Sequence, residues 1–553
     1  MKKILVTGII LMFLLTGSTT VSVTAMGTKT CELLKLNNQH IGTSPNNMNT
    51  ADWTILVYLD GDNDLEEYAI DLFLEMAEVG STDDVNIIVQ FDRASDFDTG
   101  YGNWNTTKRF RIAQGMVPDT SYALMDIGEV NMGDPQTLID FVTWTRNNYP
   151  ASRDCLIIYD HGYGWNWICH DMTPMDNLEI FELGDALSTI TNNGENPMDL
   201  IVFHACLMAM LEVAYEIEDY ASYMAASEDM AYSNNWHYDD VFSYLLENPT
   251  ISPETLGTII VDKFTGVTYS VLNLGLLDNL KNAVDDFGTS LQQEAYRDAI
   301  LNAMNEVDTY YQDFVDLYHL AACLKQFVDD GEIDAKAQVL MEEINNTVVA
   351  EKHSFPMINS HGITIYVPSW SSSYPYRTYN PRYENLLFAH DLQWDEFLLW
   401  YLDGTNINPP DTPEIIGPIS GEVGVSYEYT IWTYDSDGDF IYYYIDWGDG
   451  NVEEWIGPYG CPIPTPDLHG YYRINLKHIY EEEGTYTIRA KAKDIFDLET
   501  DWGTLAVTMP LDLLGSHQSS STPQSQPSTQ PSSTTTTQII IGSTTLLGKT
   551  TSR

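Results

Sequence analysis

Short runs of almost entirely apolar residues alternate with helical patterns between residues 53 and 205, and this order constrains the fold more than any other feature. The runs are WTILVYLD (53–60), VNIIVQFD (85–92), CLIIYD (155–160) and LIVFHA (200–205). Segments 65–80 and 134–150 repeat apolar residues at helical spacing. Strands that are apolar on both faces are typical of parallel sheets covered by helices on both sides. The sequence therefore predicts an α/β fold with a mostly parallel sheet flanked by helices.

The later part of the chain indicates a second folded region. WDEFLLWYL (394–402) has the pattern of a helix that closes an α/β domain spanning 51–403. Residues rich in Pro, Asn and Asp follow and predict a linker at 404–411. Segments such as YEYTIWTY and FIYYYIDWGDG then alternate like strands of an antiparallel structure. We therefore predict an all-β sandwich over residues 412–510.

Both ends of the chain lack the composition of a packed core. Residues 1–25 combine two lysines, an apolar run and small residues before Ala25, which predicts a secretory signal peptide. Residues 26–50 form a polar leader, and 511–553 form a Ser/Thr/Pro-rich stalk. No apolar stretch of the sequence is long enough for a membrane span. We expect an extracellular location, with cell-wall or surface attachment through the stalk as an open alternative.

The charge of the chain excludes some partners. There are 81 Asp and Glu residues against 25 Lys and Arg, which gives a formal net charge of -56. Such a chain repels nucleic acids and anionic lipids, so neither is an expected partner. The excess of carboxylates suits high salt or the binding of divalent cations. Because 44% of the residues are hydrophobic, the acidity does not predict disorder.

The cysteines do not predict a disulfide scaffold or a zinc ribbon. They are Cys31, Cys155, Cys169, Cys206, Cys323 and Cys461. Their spacing is wide and contains no C-x-x-C pair. A zinc cluster around 161–206 matches no common ligand spacing either. No metal site or cofactor is predicted. Calcium is the one alternative left open, because DGDNDLEE (60–67) has the alternating acids of a calcium loop. The preference of Asp and Glu for a helix N-terminus explains this segment better.

Cys206 and His161 each follow an apolar run, and this placement indicates chemistry. The carboxyl ends of parallel strands meet at one edge of a sheet, where ligands bind. We predict a helix directly after Cys206, whose positive end would favour the thiolate, and an imidazole at His161 that exchanges the proton. The backbone N–H groups of Gly162 and Cys206 would form an oxyanion hole. Buried packing of the cysteine stays open as an alternative, because a free Cys behaves as a small hydrophobe.

The motifs DHGYGW and ACLMAMLEVAYE, whose Cys follows the His of the first motif by 45 residues, resemble those of the clostripain family of cysteine peptidases. VYLDGDNDLEEYA, IIVQFD, ASEDM, GITIYVPSW and WDEFLLWYL extend the resemblance over residues 51–402. It implies a caspase-like fold and an endopeptidase that acts on peptide or protein substrates. Cys206 would attack the peptide carbonyl as nucleophile, and His161 would act as general acid and base.

One position departs from the pattern of the family. The family has Asp two residues before the catalytic cysteine, in the pocket for a basic side chain, whereas this chain has His204. An imidazole cannot replace a carboxylate as the partner of a guanidinium. We therefore expect a preference that is not simply Arg or Lys, with His204, Glu228 and Asp229 as substrate-binding candidates. His204→Asp should then favour cleavage after basic residues. The competing interpretation is a catalytically inactive caspase-fold protein that serves in surface binding or adhesion.

The predicted β-sandwich resembles a PKD domain, an immunoglobulin-like module of exported proteins. The resemblance rests on YYYIDWGDG and HIYEEEGTYTIRAKAKD, and the turn at 446–450 is its most characteristic part. Asp-Gly pairs support such a sharp reversal of the chain. The resemblance implies a spacer or binding unit without catalytic residues.

Overall fold

The structure of the protein is a computed structural model. It describes residues 50–95, 97–311, 313–368, 379–403, 408–436, 440–459 and 471–509. The predicted signal peptide (1–25), nearly all of the leader (26–50) and the stalk (511–553) lie outside the described residues, as does the first half of the linker. The predicted domain boundaries stay predictions.

Strands and helices alternate through residues 50–403. The strands are β1 (Ala51–Gly61), β2 (Val85–Arg93), β3 (Thr107–Arg111), β4 (Met125–Gly128), β5 (Ala151–Tyr159), β6 (Trp167–Asp171), β7 (Asp176–Glu179), β8 (Leu200–His204), β9 (Tyr223–Ala226), β10 (Thr268–Asn273), β11 (Thr309–Tyr310), β12 (Phe314–Asp316), β13 (Val348–His353) and β14 (Thr364–Tyr366). The helices are α1 (Glu66–Val79), α2 (Pro135–Asn148), α3 (Ile180–Thr191), α4 (Leu211–Ile217), α5 (Tyr238–Glu247), α6 (Pro253–Lys263), α7 (Leu277–Leu291), α8 (Arg297–Met304), α9 (Leu317–Phe327), α10 (Gly331–Thr347), α11 (Leu387–Asp391) and α12 (Trp394–Asp403). Short 3-10 helices occur at Thr120–Tyr122, Ser233–Asn235, Leu274–Leu276, Glu294–Tyr296 and Pro381–Asn385.

The largest sheet has nine strands in the order β13-β10-β9-β8-β5-β1-β2-β3-β4. The five strands from β9 to β2 run parallel to one another. The two outer strands at each edge pair antiparallel. The prediction of a mostly parallel sheet is thus confirmed for its centre. A two-stranded sheet (β6-β7) and a three-stranded sheet (β11-β12-β14) lie outside it.

The central strands are apolar at every position because each face of the sheet has its own core. Leu56 and Ile158 belong to one apolar cluster, together with residues of α2 and α3. Their chain neighbours Val57 and Ile157 belong to a second cluster, with residues of α1, α5 and α6. Successive side chains of a strand point to opposite faces, so helices cover both faces of the sheet, as predicted.

Local capping explains where α2 begins. Asp134 accepts a hydrogen bond from the backbone N–H of Gln136 at 2.8 Å, and Pro135 occupies the first turn. Proline fits this position because its missing N–H would have no partner inside the helix. The helix start predicted from the sequence is confirmed.

The C-terminal region is all-β. Its strands are β15 (Glu414–Ile416), β16 (Ser426–Tyr434), β17 (Ile441–Asp446), β18 (Val452–Tyr459), β19 (Tyr471–Ile479), β20 (Gly484–Asp494) and β21 (Gly503–Met509). They form two antiparallel sheets, β15-β16-β19 and β18-β17-β20-β21, with an apolar core that includes Trp447. The Asp446 carboxylate accepts the N–H of Gly448 at 2.8 Å, and Gly448 has a φ of 81°. The predicted sandwich and its glycine-dependent turn are confirmed. Across the described ranges, we find no helix with the length and apolar character that a membrane crossing requires.

Candidate active site

Parallel pairing of β5 with β8 brings His161 and Cys206 to one edge of the sheet. Tyr159 pairs with His204, and each of the two candidates lies two residues beyond its member of this pair. The loops that follow are in close contact at Gly162. A Cβ atom on Gly162 would lie 2.7 Å from the carbonyl oxygen of Cys206. Any side chain at this position would clash with that oxygen, so the close contact between the two strand ends requires glycine after His161.

The Cys206 thiol lies between a strand end and the segment after β9. Its Sγ donates to the carbonyl of Ala231 at 3.4 Å and accepts from the N–H of Ala231 at 3.3 Å. Burial raises the pKa of Cys206, the hydrogen bond from Ala231 lowers it, and the charge of Asp229 raises it. The net shift is upward, so the surroundings of Cys206 keep its thiol protonated at neutral pH. A base is needed to form the thiolate.

The predicted helix directly after Cys206 is wrong. Helix α4 begins only at Leu211 and has seven residues. The intervening segment pairs elsewhere: the N–H of Leu207 bonds to the carbonyl of Asp229 at 3.2 Å, and that of Ala209 to Ser227 at 2.9 Å. These tertiary hydrogen bonds override the helical periodicity of the sequence. The dipole of α4 therefore does not act on the thiol, because such effects fade within a turn.

His161 has a carboxylate partner that the sequence analysis did not identify. Its Nε2 lies 2.9 Å from an oxygen of Asp64, in the loop after β1. Because Nε2 faces Asp64, Nδ1 is the ring nitrogen that can accept a proton from a thiol and donate a proton to a leaving group. The signal was available in the sequence. Asp64 follows a strand that ends at the same edge of the sheet as β5 and β8.

His204 lies in a buried aromatic cluster and not at the substrate surface. Its ring is 2% exposed and stacks on Trp236 with a centroid distance of 3.7 Å. Its Nε2 lies 3.1 Å from the carbonyl of Ser233, to which it donates. Burial lowers the pKa of His204 to about 3, so the ring is neutral. The structure thus corrects the placement of His204 inferred from sequence, because Trp236 covers the ring.

The two acidic candidates have different positions. Glu228 is 2% exposed, and it contacts Asp316 and the backbone N–H of Gly362. Burial and repulsion by Asp316 raise the pKa of Glu228 well above its usual range. Glu228 therefore does not line an open surface either, contrary to the sequence interpretation. Asp229 is half-buried beside Cys206. The structure thus brings His161, Gly162, Cys206 and Asp229 together and covers the other two candidates.

The thiols of the described residues are unpaired. Cys155, Cys169 and Cys323 are buried free cysteines, whereas Cys206 is partly exposed. Cys31 and Cys461 lie outside the described residues. Cys206 is thus the accessible thiol of the described region.

One group of carboxylates in the described part of the chain has the geometry of a cation site, formed by Asp62, Glu129 and Asp171.

The chain is similar to several known proteins. The model of the clostripain family matches residues 57–403. Clostripain from Hathewaya histolytica is 23% identical over 417 residues, which cover 61% of this chain and 78% of that protein. A secreted C11 cysteine protease from Bacteroides thetaiotaomicron in complex with an irreversible peptide inhibitor is 20% identical, covers 63% of this chain and 99% of its own, and has a TM-score of 0.47. The PKD domain of an M14-like peptidase from a Thermoplasmatales archaeon is 48% identical, covers 19% of this chain and 99% of its own, and has a TM-score of 0.17.

The protein is a cysteine-type peptidase, whose substrates are peptides or proteins. It belongs to the clostripain family, since the family model covers more than half of the chain. The alternative of an inactive surface binding protein is not favoured by these matches.

Proposed function

We propose that the chain is a secreted cysteine endopeptidase in which Cys206 is the nucleophile and His161 the general acid and base. The observation that carries the proposal is the contact of the two strand ends at Gly162, where a Cβ atom would lie 2.7 Å from the Cys206 carbonyl oxygen. This contact holds a thiol and an imidazole at the edge of the sheet where parallel strands present their ligands. The motifs DHGYGW and ACLMAMLEVAYE, which resemble those of the clostripain family, also support the pairing of His161 with Cys206.

The reaction follows from these positions. His161 takes the thiol proton, and Sγ attacks the carbonyl carbon of the scissile bond. In the described residues, the backbone N–H groups of Gly162 and Cys206 donate to no other protein atom, so both are free to hold the oxyanion. His161 then returns the proton to the leaving amine, and an acyl group stays on Sγ. Water activated by His161 hydrolyses this thioester and restores the thiol.

Asp64 positions the imidazole in this proposal. As acceptor for Nε2–H, it fixes the tautomer that leaves Nδ1 to exchange protons with the thiol. We expect Asp64→Asn to lower kcat by about 10-fold with little change in KM, because Asp64 is exposed and acts through His161. Steady-state kinetics with a fluorogenic peptide, repeated across pH, measure the effect. Asp83→Asn, an exposed acid at the opposite end of the sheet, is the matched control. An unchanged pH profile and kcat in Asp64→Asn would remove Asp64 from this role.

The proposal includes a preference that is not limited to Arg or Lys. A carboxylate two residues before the nucleophile would pair with a basic side chain, whereas His204 is neutral and covered by Trp236. Asp229 is the substrate-binding candidate that lies beside the thiol.

The remaining regions give the enzyme its setting. The N-terminal pattern supports export, and the Ser/Thr/Pro composition of 511–553 supports a stalk that attaches the protein to the cell surface. The turn motif at 446–450 and the two antiparallel sheets support a PKD-like module that serves as a spacer or binding unit. In this proposal the module contributes no catalytic group.

One experiment tests the function. The mature full-length protein is incubated with a diverse peptide mixture, with reductant and with or without calcium, and the cuts are mapped by mass spectrometry. We expect internal cuts that are absent with Cys206→Ala, and side chains before the cut that are not confined to Arg and Lys. Cuts that persist in Cys206→Ala, or a strict Arg/Lys rule, would contradict the corresponding part of the proposal.

A further inference from the structure

Two buried carboxyl groups are in contact close in sequence to Ala231, the residue whose backbone holds the Cys206 thiol. Glu228, two residues beyond β9, is 2% exposed, and Asp316, the last residue of β12, is 0% exposed. The side chain of Glu228 contacts that of Asp316. A carboxylate accepts hydrogen bonds and donates none, so two carboxyl groups in a buried contact need a proton between them. We call Glu228 and Asp316 the carboxyl pair.

The two members of the carboxyl pair have unequal surroundings. One oxygen of Asp316 accepts the backbone N–H of His319 at 2.6 Å, and the other accepts that of His361 at 2.6 Å. Nδ1 of His361 lies 3.3 Å from the first of these oxygens. Glu228 contacts only the backbone N–H of Gly362, and its Oε1 has no hydrogen-bond partner among the described residues. The donors therefore favour the charge on Asp316 and the proton on Glu228.

Titratable groups of three further elements face the carboxyl pair. Burial raises the pKa of Glu228 well above its usual range, and the charges of Asp316 and of Glu351 in β13 raise it further. Burial also raises the pKa of Tyr310 in β11, and Glu228 adds to this shift. Burial lowers the pKa of His361, but its hydrogen bond to Asp316 and the charge of Asp316 raise it, and the net shift is upward. The positive charge thus lies on the Asp316 side, and the charges that face Glu228 are negative.

Glu228 lies between two residues that hold the backbone directly after the thiol. The carbonyl of Ser227 accepts the N–H of Ala209 at 2.9 Å, and the carbonyl of Asp229 accepts the N–H of Leu207 at 3.2 Å. Leu207 has a φ of 67°, a left-handed conformation that costs a leucine energy and persists only where the surroundings fix it. A displacement of Glu228 would move both carbonyls and release this backbone.

The other end of this connection is the sheet β11-β12-β14. Asp316 pairs with Thr364 in that sheet, and Thr364 donates its backbone N–H to the carbonyl of Ala209 at 2.8 Å. Ala209 is therefore bound by Ser227 on one side and by Thr364 on the other. The carboxyl pair joins the same two sides directly, so it completes a closed set of contacts around the backbone that follows Cys206.

We propose that Glu228 and Asp316 share one proton and that this carboxyl pair positions Cys206 for attack. When the proton is lost to solvent, two negative charges are buried in contact, and their repulsion separates Glu228 from Asp316. The segment up to Ala231 then shifts, and Sγ loses its two hydrogen bonds to that residue. The consequence for catalysis rests on the proposed function, whereas the shared proton does not.

Urea unfolding of the full mature chain between about pH 5 and 9 tests the shared proton without any peptidase activity. The unfolded chain releases the Glu228 proton near the ordinary pKa of 4.5, and the folded chain releases it only at a higher pH. The stability of the parent therefore falls as the pH rises between these two values. Glu228→Gln has an amide that donates to Asp316 at every pH. The unfolding constant of the parent, relative to that of Glu228→Gln, should rise by up to about tenfold per pH unit. A ratio that does not change with pH would overturn the shared proton.

Two variants of Glu228 then test the positioning of the thiol. Glu228→Gln keeps a donor to Asp316, so its kcat at neutral pH should stay within about threefold of the parent and should decline less as the pH rises. Glu228→Met has a similar length but no donor, so we expect its kcat to fall at least about 10-fold with little change in KM. Equal kcat in Glu228→Met and Glu228→Gln, or a failure of Glu228→Gln to fold at neutral pH, would contradict the proposal.

The rate at which iodoacetamide alkylates Cys206, measured by mass spectrometry of the Cys206 peptide, reports on the thiol without any cleavage. With rising pH, the rate of the parent relative to that of Glu228→Gln should change by at least about threefold, because only the parent loses the hydrogen bonds from Ala231. A constant ratio would remove the carboxyl pair from the positioning of Cys206. Absence of peptide cleavage together with the expected alkylation and unfolding results would count against the proposed function and would support the carboxyl pair.

Discussion

Replacing Cys206 with alanine is expected to lower kcat/KM for peptide hydrolysis by at least about 10⁴-fold, because no other group at the site can form the acyl intermediate. The fold should be unaffected. Sγ makes two long hydrogen bonds, both to the backbone of Ala231, so Tm should change by no more than about 2 °C. Progress curves with a fluorogenic peptide and a thermal melt of the same preparation give both values.

Another free cysteine supplies the matched control. Cys323 in α9 is buried and lies outside the candidate site, so Cys323→Ala should keep activity within about twofold while losing some stability from the small cavity. If Cys323→Ala lost activity with an unchanged melt, or if Cys206→Ala kept it, the assignment of the nucleophile would be wrong.

His204→Asp is expected to destabilise the protein by about 3–5 kcal/mol, the cost of burying an unpaired charge. The carboxylate would face the carbonyl of Ser233, which now accepts a hydrogen bond from Nε2 at 3.1 Å. It would also lose the stacking of the imidazole on Trp236. The sequence alone suggested that this change would create a preference for basic residues. With the ring covered, loss of folded protein is expected first, as measured by urea unfolding at neutral pH.

His204→Phe is the control, because it keeps an aromatic ring in the cluster and adds no charge. Leaving the Ser233 carbonyl without its donor should cost about 1–3 kcal/mol. The pH dependence separates the variants further. His204 has a folded-state pKa of about 3 against 6.5 for the free side chain, so the unfolded chain gains a proton first as pH falls. The stability advantage of the parent over His204→Phe should therefore shrink below pH 6.5, by up to about 1.4 kcal/mol per unit. A constant difference would mean that His204 titrates normally and is not buried as described.

The central strands were predictable because a strand that is buried on both faces is a short, uninterrupted run of apolar residues. Strands β1, β2, β5 and β8 coincide with the four apolar runs, and the helical patterns between runs indicate that these strands are parallel. The neighbouring ends of β5 and β8 were predictable for the same reason. The antiparallel edges were less clear, since strands such as β4 and β13 are short or exposed and carry no apolar run.

Other features depend on contacts between distant residues, which no local pattern reports. The segment after Cys206 has helical periodicity, yet its backbone pairs with residues 227–229. His204 is covered by Trp236, 32 positions later in the chain. Asp64 reaches His161 across 97 positions, and only the shared edge of the sheet connects them. Tertiary hydrogen bonding and side-chain packing determined these features.

Trapping the acyl-enzyme tests whether Cys206 is the nucleophile. The protein is mixed with a peptide ester for a few milliseconds, quenched in acid and digested, and the modified peptide is identified by mass spectrometry. We expect an acyl adduct on Cys206 that accumulates in the parent and is strongly reduced in His161→Ala. An adduct on any other residue, or rapid turnover with Cys206 unmodified, would contradict the role of Cys206 as nucleophile.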